Sequence, residues 1–500
     1  LIERVSDALW GRSQILTMLN WMRVIPEQVI LSQPRLCILR AWAYAISGQL
    51  DDVEPMLRAA EKLLPSVKDA YQVDLSWMSE DTWSFSPQGT LAQVAILRVF
   101  VARFHETPSV SVSLGRAALD QIPYHRRSTR GIAMVMLGHA LILNGKMDAA
   151  TRMLIEARDA TQRMRHGAAY LSATSYLGQL IFVLGQPRQA LAYYQQAHRF
   201  TTEVLKLSYS GIELIGMGAI LREMNDLESA TQYVNEGLRL AEMGGDFTFL
   251  RDSYIARARI EQAHKNWDVC LEFIQKAEQV SHRSRNVQDG MLLTAWHARM
   301  LLAKGEVESA YNWAKQTDVK VDDALSFLRE FEHITLARVL VAQGRYRPNA
   351  NFLADAMRLL DRLNDSAGSG GRMGRVIEIL IQQALAFQME GSVSKAMSAL
   401  ERALRLAEPE GYVRTFVDEY VSLKSPRDAA QVKVLYETIS EREKEVLKLI
   451  ADGKSSQEIA QTLVVALSTV QWHIKNLYAK LDVHSRTQAV KRAKELQLLT

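Results

Sequence analysis

Asn144-Gly145-Lys146-Met147-Asp148-Ala149-Ala150 is answered forty residues later by Leu184-Gly185-Gln186-Pro187-Arg188-Gln189-Ala190. In each stretch a turn-forming residue is followed, five positions on, by a small one. The 40-residue step continues: small residues stand at Ala150, Ala190, Ala230, Cys270, Ala310 and Ala350, preceded by Gly145, Gly185, Asn225, Lys265, Gly305 and Arg345. Gly344 supplies the last turn one position early. Gly391 to Ala396 forms a further copy, six residues late, and Asp365-Ser366-Ala367-Gly368-Ser369-Gly370-Gly371 between them is expected to be a flexible insertion. Backwards along the chain, His105 to Val110 and Gly48 to Val53 fit as earlier copies.

Apolar residues at helical spacing flank each turn. Leu191, Tyr194 and Ala197 follow Gly185, and Ile220 and Leu221 precede Asn225. Each unit therefore reads as two helices joined by a turn. One such pair cannot bury its apolar face alone, so neighbouring pairs stack into a solenoid. No useful run alternates with period two, so the expected class is all-α, with almost no β-structure. The units resemble tetratricopeptide repeats, although their period exceeds the usual ~34 residues; HEAT-like pairing is the alternative. A solenoid surface suits a peptide, a protein or a small effector; the competing reading is a plain spacer.

The 500 residues suffice for about three average domains and are 48% apolar. The formal net charge is only +4, so any polyanion-binding patch must be local. Cys37 and Cys270, the two cysteines, make no disulfide framework or metal cluster, which suits a reducing compartment. No stretch approaches the ~18 apolar residues of a membrane span, and no signal peptide opens the chain. It begins at Leu1 rather than methionine, so residues are expected upstream. A cytoplasmic protein without membrane partners is anticipated.

No catalytic constellation emerges, so an enzyme is not expected. Gly453-Lys454-Ser455 matches the end of a phosphate-binding loop, but Lys448 stands where its first glycine belongs and a helical pattern precedes it. Gly368-Ser369-Gly370-Gly371-Arg372-Met373 nearly spells a dinucleotide fingerprint, but Met373 replaces the third glycine; a loose inter-repeat loop is the simpler reading. His105-Glu106 reads as a solvated turn beside Pro108. Trp42, Trp267, Trp296 and Trp313 read as core or inter-repeat packing. No metal or cofactor is expected within this chain.

After about Tyr420 the rhythm stops, giving a repeat domain over 1–420, a linker over 421–437 that includes Ser422-Leu423-Lys424-Ser425-Pro426, and a terminal domain over 438–500. Ser440 with Glu443 and Ser455 with Glu458 have the spacing of capping boxes, and Gly453 is a suitable helix stop between them. A third helix is expected from about Leu467 to Lys480, and Ser485 with Gln488 opens a fourth. The second and third helices make a helix-turn-helix, whose later helix lies in the major groove. On that helix Val470, Ile474, Leu477 and Leu481 share a core-facing side, while Gln471, Trp472 and Lys475 share another. Glutamine suits adenine, lysine suits guanine, and an apolar ring can touch a thymine methyl. From Thr469 to Lys494, Lys475, Lys480, Arg486, Lys491, Arg492 and Lys494 face one acid, Asp482, for a local charge of +5.

Ile439-Ser440-Glu441-Arg442-Glu443-Lys444-Glu445-Val446-Leu447, Gly453-Lys454-Ser455-Ser456-Gln457-Glu458-Ile459-Ala460, the run Ser468 to Leu481, and Val483-His484-Ser485-Arg486-Thr487-Gln488-Ala489-Val490 resemble the LuxR-type DNA-binding domain. The resemblance implies base reading by Gln471, Trp472 and Lys475. It places Ser455, Ser456, Thr469, His473, Lys480 and Arg486 at backbone-contact or bracing positions. It also implies self-association through the last helix, around Arg486 to Leu496. The family favours Lys at position 471, Asn at 456, Gly at 482 and a Ser or Thr cap at 466, where this chain has Gln, Ser, Asp and Ala. Ser468 could instead cap a shorter helix, with Gln471 as its box partner. Leu36 to Ala43 and Ala407-Glu408-Pro409-Glu410-Gly411-Tyr412-Val413-Arg414-Thr415-Phe416 resemble the large ATP-binding, MalT-like class of LuxR-type regulators. That resemblance implies an ATPase module upstream, which would carry ATP binding for the parent protein. Together these readings give a signal-responsive transcription factor, an activator, with double-stranded promoter DNA, a small-molecule or protein effector and RNA polymerase as partners. The alternative is a protein-interaction scaffold whose terminal domain docks a protein.

Overall fold

The turns at forty-residue intervals are left-handed helix stops. In the computed structural model Gly145, Gly185, Asn225, Lys265, Gly305 and Gly391 all have φ between 63° and 94°. After each, a backbone N–H reaches five residues back, as from Lys146 to the Leu141 carbonyl (2.9 Å) and from Ser392 to that of Phe387 (2.8 Å). This pairing satisfies carbonyls that the ending helix leaves free. Glycine takes the conformation without penalty, and Asn225 and Lys265 adopt it at some cost.

The structure describes residues 15–65, 76, 78–79, 83–84, 86–204, 211–284, 287–347, 351–421, 441–463, 465–481, 483 and 485–495. Among them there are helices and turns but no strands. The chain divides into two compact units, Leu1–Glu419 and Tyr420–Thr500. The first opens with α1 (Ile15–Arg23), α2 (Glu27–Leu31), α3 (Pro34–Ser47) and α4 (Val53–Lys62), then α5 (Pro87–His105) and α6 (Pro108–Gln121). Seven helix pairs follow: α7 (Arg127–Leu143) with α8 (Met147–Arg163), α9 (Gly167–Val183) with α10 (Pro187–Arg199), α11 (Ile212–Glu223) with α12 (Leu227–Gly244), α13 (Phe247–Ala263) with α14 (Trp267–Ser284), α15 (Val287–Lys304) with α16 (Val307–Gln316), α17 (Glu330–Tyr346) with α18 (Phe352–Ser369), and α19 (Met373–Met389) with α20 (Val393–Ala407). A last helix, α21 (Arg414–Val421), ends the array.

Small residues set the crossing within each pair. A Cβ on Gly138, Gly178 or Gly218 would meet Leu154, Tyr194 or Val234 at 2.5–2.6 Å, and one on Gly344 would meet Leu353 at 2.6 Å. Twelve residues after these glycines come Ala150, Ala190, Ala230 and Ala356, each fully buried. Gly344 is thus a helix-crossing residue inside α17, not a turn. Ala350 lies outside the described residues, and Ala356 holds the buried small position. The six-residue delay therefore falls before Gly344. There α16 is short, and non-helical residues and a 3-10 turn, Phe327–Arg329, separate it from α17.

This corrects two expectations. Asp365 to Ser369 belongs to α18, and Gly370-Gly371-Arg372 is a tight turn into α19 rather than an insertion or loose loop. The apolar stripe Ala356, Leu359, Leu360, Leu363 and Ala367 continues to the helix end and is buried throughout, so burial overrides the poor helix propensity of Gly368 and its neighbours.

The superhelix closes on itself. The Phe247 ring lies 3.1 Å from where a Cβ on Gly48 would stand, and the Met373 Cβ 2.8 Å from one on Gly185. Tyr412 stacks on Phe182 with centroids 5.8 Å apart. Successive turns of the solenoid thus touch about two hundred residues apart in sequence. Trp42 packs edge-on against Phe100, and Trp296 lies tilted against Phe331 of the neighbouring pair, which fits their reading as packing residues.

Candidate nucleic-acid interface

The terminal unit is built from short capped helices: α22 (Glu441–Ala451), α23 (Ser456–Leu463), α24 (Leu467–Leu481) and α25 (Arg486–Glu495). Gly453, with φ of 81°, stops α22, and the Lys454 N–H closes the turn on the Leu449 carbonyl at 3.0 Å. The box at Ser455 is formed in both directions: Glu458 N–H donates to Ser455 Oγ (3.3 Å), and Ser455 N–H donates to Glu458 Oε2 (2.7 Å). Those hydrogen bonds from Ser455, aided by Lys454 and Arg486, hold the Glu458 carboxyl below its ordinary range. Gln488 N–H donates to Ser485 Oγ (3.3 Å), capping α25. Ser440 and the linker beyond Val421 lie outside the described residues.

The core of this unit joins Val446, Leu447, Ile450, Ile459, Ala460, Val470, Leu477, Ala489 and Ala493. Ile474 packs at its margin, as the helical spacing requires, and the Leu481 side chain lies outside the described residues. Two arginines tie helices to turns. Arg442 donates to the Leu463 carbonyl at 2.9 Å, and Arg486 donates to the Lys454 carbonyl. Sequence patterning gives no sign of the Arg442 contact, because its partner is a main-chain oxygen twenty-one residues away.

On α24 the predicted reading residues separate from the core. Gln471 and Lys475 are exposed and Trp472 is half-buried. His473 is buried, its ring 4.8 Å from that of Trp472 at 72°. The helix starts from Ala466, whose carbonyl accepts from Thr469 N–H (3.0 Å) and Val470 N–H (3.3 Å). The start is therefore at the uncapped alanine, not displaced to Ser468. Ser455 is exposed at the head of α23, and Ser456 and Thr469 are half-buried. Arg486 is tied to the turn before α23 through the Lys454 carbonyl, and His473 is buried beside Trp472. The Lys480 side chain lies outside the described residues.

A two-helix brace, a helix with one buried and one polar side, and a fourth helix closing the core make a helix-turn-helix domain. The MalT-like TPR region matches residues 92–425, and the bacterial regulatory proteins of the luxR family match residues 437–493. The chain belongs to the MalT-like family. The MalT-like chain is 23% identical to the HTH-type transcriptional regulator MalT of Serratia proteamaculans (strain 568), over 98% of its own length and 57% of the relative's. It is likewise 23% identical to the MalT regulator of Vibrio campbellii, over 99% and 58% of the two lengths. It therefore spans a little over half the length of these curated relatives. Among solved structures, a Rap protein complexed with Competence and Sporulation Factor superposes on 77% of this chain and 99% of that one, with a TM-score of 0.50 and 11% identity. That likeness concerns the helical-repeat fold.

Proposed function

We propose that this chain is the sensing and DNA-reading part of a transcriptional activator. The observation that carries the reading is the face of α24, where Gln471, Trp472 and Lys475 stand clear of a core formed by Val470 and Leu477 on the opposite side. In a luxR-type domain that face enters the major groove of promoter DNA, and the head of α23, with Ser455 and Ser456, meets the phosphate backbone. Two copies would associate on DNA through α25. The repeat unit supplies the input by taking an effector, as a Rap protein of the same helical-repeat fold is solved complexed with Competence and Sporulation Factor.

Genomic fragments enriched on the full chain would be tested for affinity across salt concentrations. Affinity is expected to fall steeply with salt, because phosphate contacts release counterions. Lys475→Ala should weaken binding to the enriched fragment roughly 5- to 150-fold, since one base contact is worth about 1–3 kcal/mol. Unchanged affinity in Lys475→Ala, with the fold intact by circular dichroism, would remove this reading face. Transcription from the same fragment with purified RNA polymerase tests the sign of regulation.

A further inference from the structure

The segment that closes the repeat unit does more than cover its last pair. From Pro409 onward the chain turns back across the solenoid to residues some two hundred positions earlier. Arg188 Nε donates to the Pro409 carbonyl at 2.9 Å, and the Tyr412 hydroxyl donates to the Phe182 carbonyl at 3.0 Å. Val413 N–H donates to the Glu223 carbonyl (3.1 Å) and Thr415 N–H to Glu223 Oε1 (2.7 Å). Phe416 is buried. Asp418 then pairs with Arg222 and Arg414, and Glu419 with Arg338 and with Gln382 Nε2 (2.7 Å). A simple end-cap touches only the last repeat; this segment is held by α9, α10, α11, α17 and α19.

Among the described residues, the surface under it carries more arginines than carboxylates, even with Glu330 3.8 Å from Arg375. Glu223 serves both Arg222 (3.8 Å) and Arg259 (3.7 Å). Glu378 serves Arg299 (2.6 Å), Arg338 (2.9 Å) and Arg375 (3.2 Å). Arg222 is 2% exposed, so its charge has little recourse to water. Buried cations of this kind need a counter-charge, and Asp418 and Glu419 bring it from outside the helix pairs.

We infer that the surface around Arg222, Arg259 and Arg338 is a binding site for an acidic peptide, and that Tyr412 to Glu419 occupies it as a built-in ligand. The site has the parts peptide recognition uses: a carboxylate and a carbonyl on Glu223 for main-chain N–H groups, the Phe182 ring for Tyr412 and a buried place for Phe416, and two arginines for consecutive carboxylates. A tethered occupant has a high effective concentration, so an outside peptide must carry the same aromatic and acidic pattern to displace it. Displacement frees the stretch that leads directly into the connection to the DNA-reading unit. This inference rests on the proposal that the repeat unit takes an effector.

The test uses the full chain and a fluorescent synthetic peptide with the sequence of residues 410–421. Wild type should bind it weakly, and Asp418→Asn/Glu419→Gln at least about tenfold more tightly, because the tethered competitor is weakened. Adding Arg222→Gln to that variant should abolish the gain, and a peptide carrying Asn and Gln at the two acidic positions should not bind. Equal binding by wild type and variant, or indifference to Arg222, overturns the site. If the double variant does not fold, hydrogen exchange in wild type decides. Excess peptide should speed exchange at the Val413 and Thr415 amides about tenfold or more, and unchanged protection overturns the site. Promoter affinity measured alongside separates the two ideas. Peptide binding with unaltered promoter affinity would sink effector sensing and leave the site standing, whereas promoter binding without peptide capture would sink the site alone.

Discussion

At the residue scale, the reading helix depends on a few side chains whose surroundings differ. Gln471 and Lys475 are exposed, so their truncation should leave the unit folded and alter only its contacts. Trp472 rests against the buried His473 ring, so Trp472→Ala removes the proposed DNA contact and a packing contact together. Gln471→Ala is expected to relax base preference at one position of the enriched site, by about 1–3 kcal/mol of discrimination, with little change in thermal unfolding. Trp472→Ala should lower both promoter affinity and the melting temperature of the terminal unit. Binding to a panel of single-base site variants, read beside a melting curve, separates the two behaviours. Ala466 offers the converse case. It supplies the first carbonyl of α24 but no side-chain acceptor for the free N–H groups behind it. Ala466→Ser places a hydroxyl at the N-cap and should stabilise the unit by about 0.5–2 kcal/mol, seen as a raised urea midpoint at unchanged slope.

At the element scale, helix pairs are fixed by how closely their backbones approach, and glycine means opposite things at two places. Gly138 sits where α7 crosses α8, and an added Cβ would lie 2.6 Å from Leu154 Cδ2. Gly368 sits near the end of α18 with nothing within 4 Å of that point. Gly138→Ala should therefore cost about 1–3 kcal/mol through overpacking, despite the better helix propensity of alanine. Gly368→Ala should gain up to about 1 kcal/mol, because the residue is helical and has space. A destabilised Gly368→Ala protein in chemical unfolding would contradict the helical assignment of 365–369.

The same pair of glycines shows what the sequence makes legible. The period, the turns at Gly145 and Gly185 and the buried Ala150 and Ala190 can be read from spacing, because every pair repeats one local geometry. Asp365–Ser369 reads as a loop because its helix is held by burial that composition does not show, and Gly344 reads as a turn for a different physical reason. A glycine at a turn and a glycine at a crossing look alike in sequence, and only the neighbouring helix distinguishes them. The helix-turn-helix was legible down to its outward face because caps, apolar spacing and charge coincide within sixty residues. The role of Asp418 and Glu419 was not, since their partners Arg222 and Arg338 are remote in sequence and carry no local pattern.

At the scale of the whole molecule, the solenoid is joined through buried charge as well as through apolar stacking. Glu378 on α19 meets Arg299 of α15 and Arg338 of α17, so one carboxylate binds three successive pairs. Burial alone would raise its pKa; the charges of Arg299, Arg338 and Arg375 outweigh burial and hold it far below the ordinary carboxylate range. Asp418 is held low in the same way by Arg222 and Arg414 against its own burial. A group whose pKa is depressed on folding adds stability above its unfolded value, about 4 for a carboxylate, and loses it as pH falls toward the folded value. The repeat unit should therefore weaken progressively as pH drops below about 4, independently of the terminal unit. Glu378→Gln leaves Arg299 and Arg338 without their shared counter-charge and should cost about 3–5 kcal/mol at neutral pH. The gap between wild type and Glu378→Gln should then narrow as pH falls below about 4, because protonation removes in the wild type what the substitution has already removed. Urea unfolding of both proteins from pH 7 to pH 3 measures this, and a gap that stays constant across that range would mean that Glu378 contributes by shape rather than by charge.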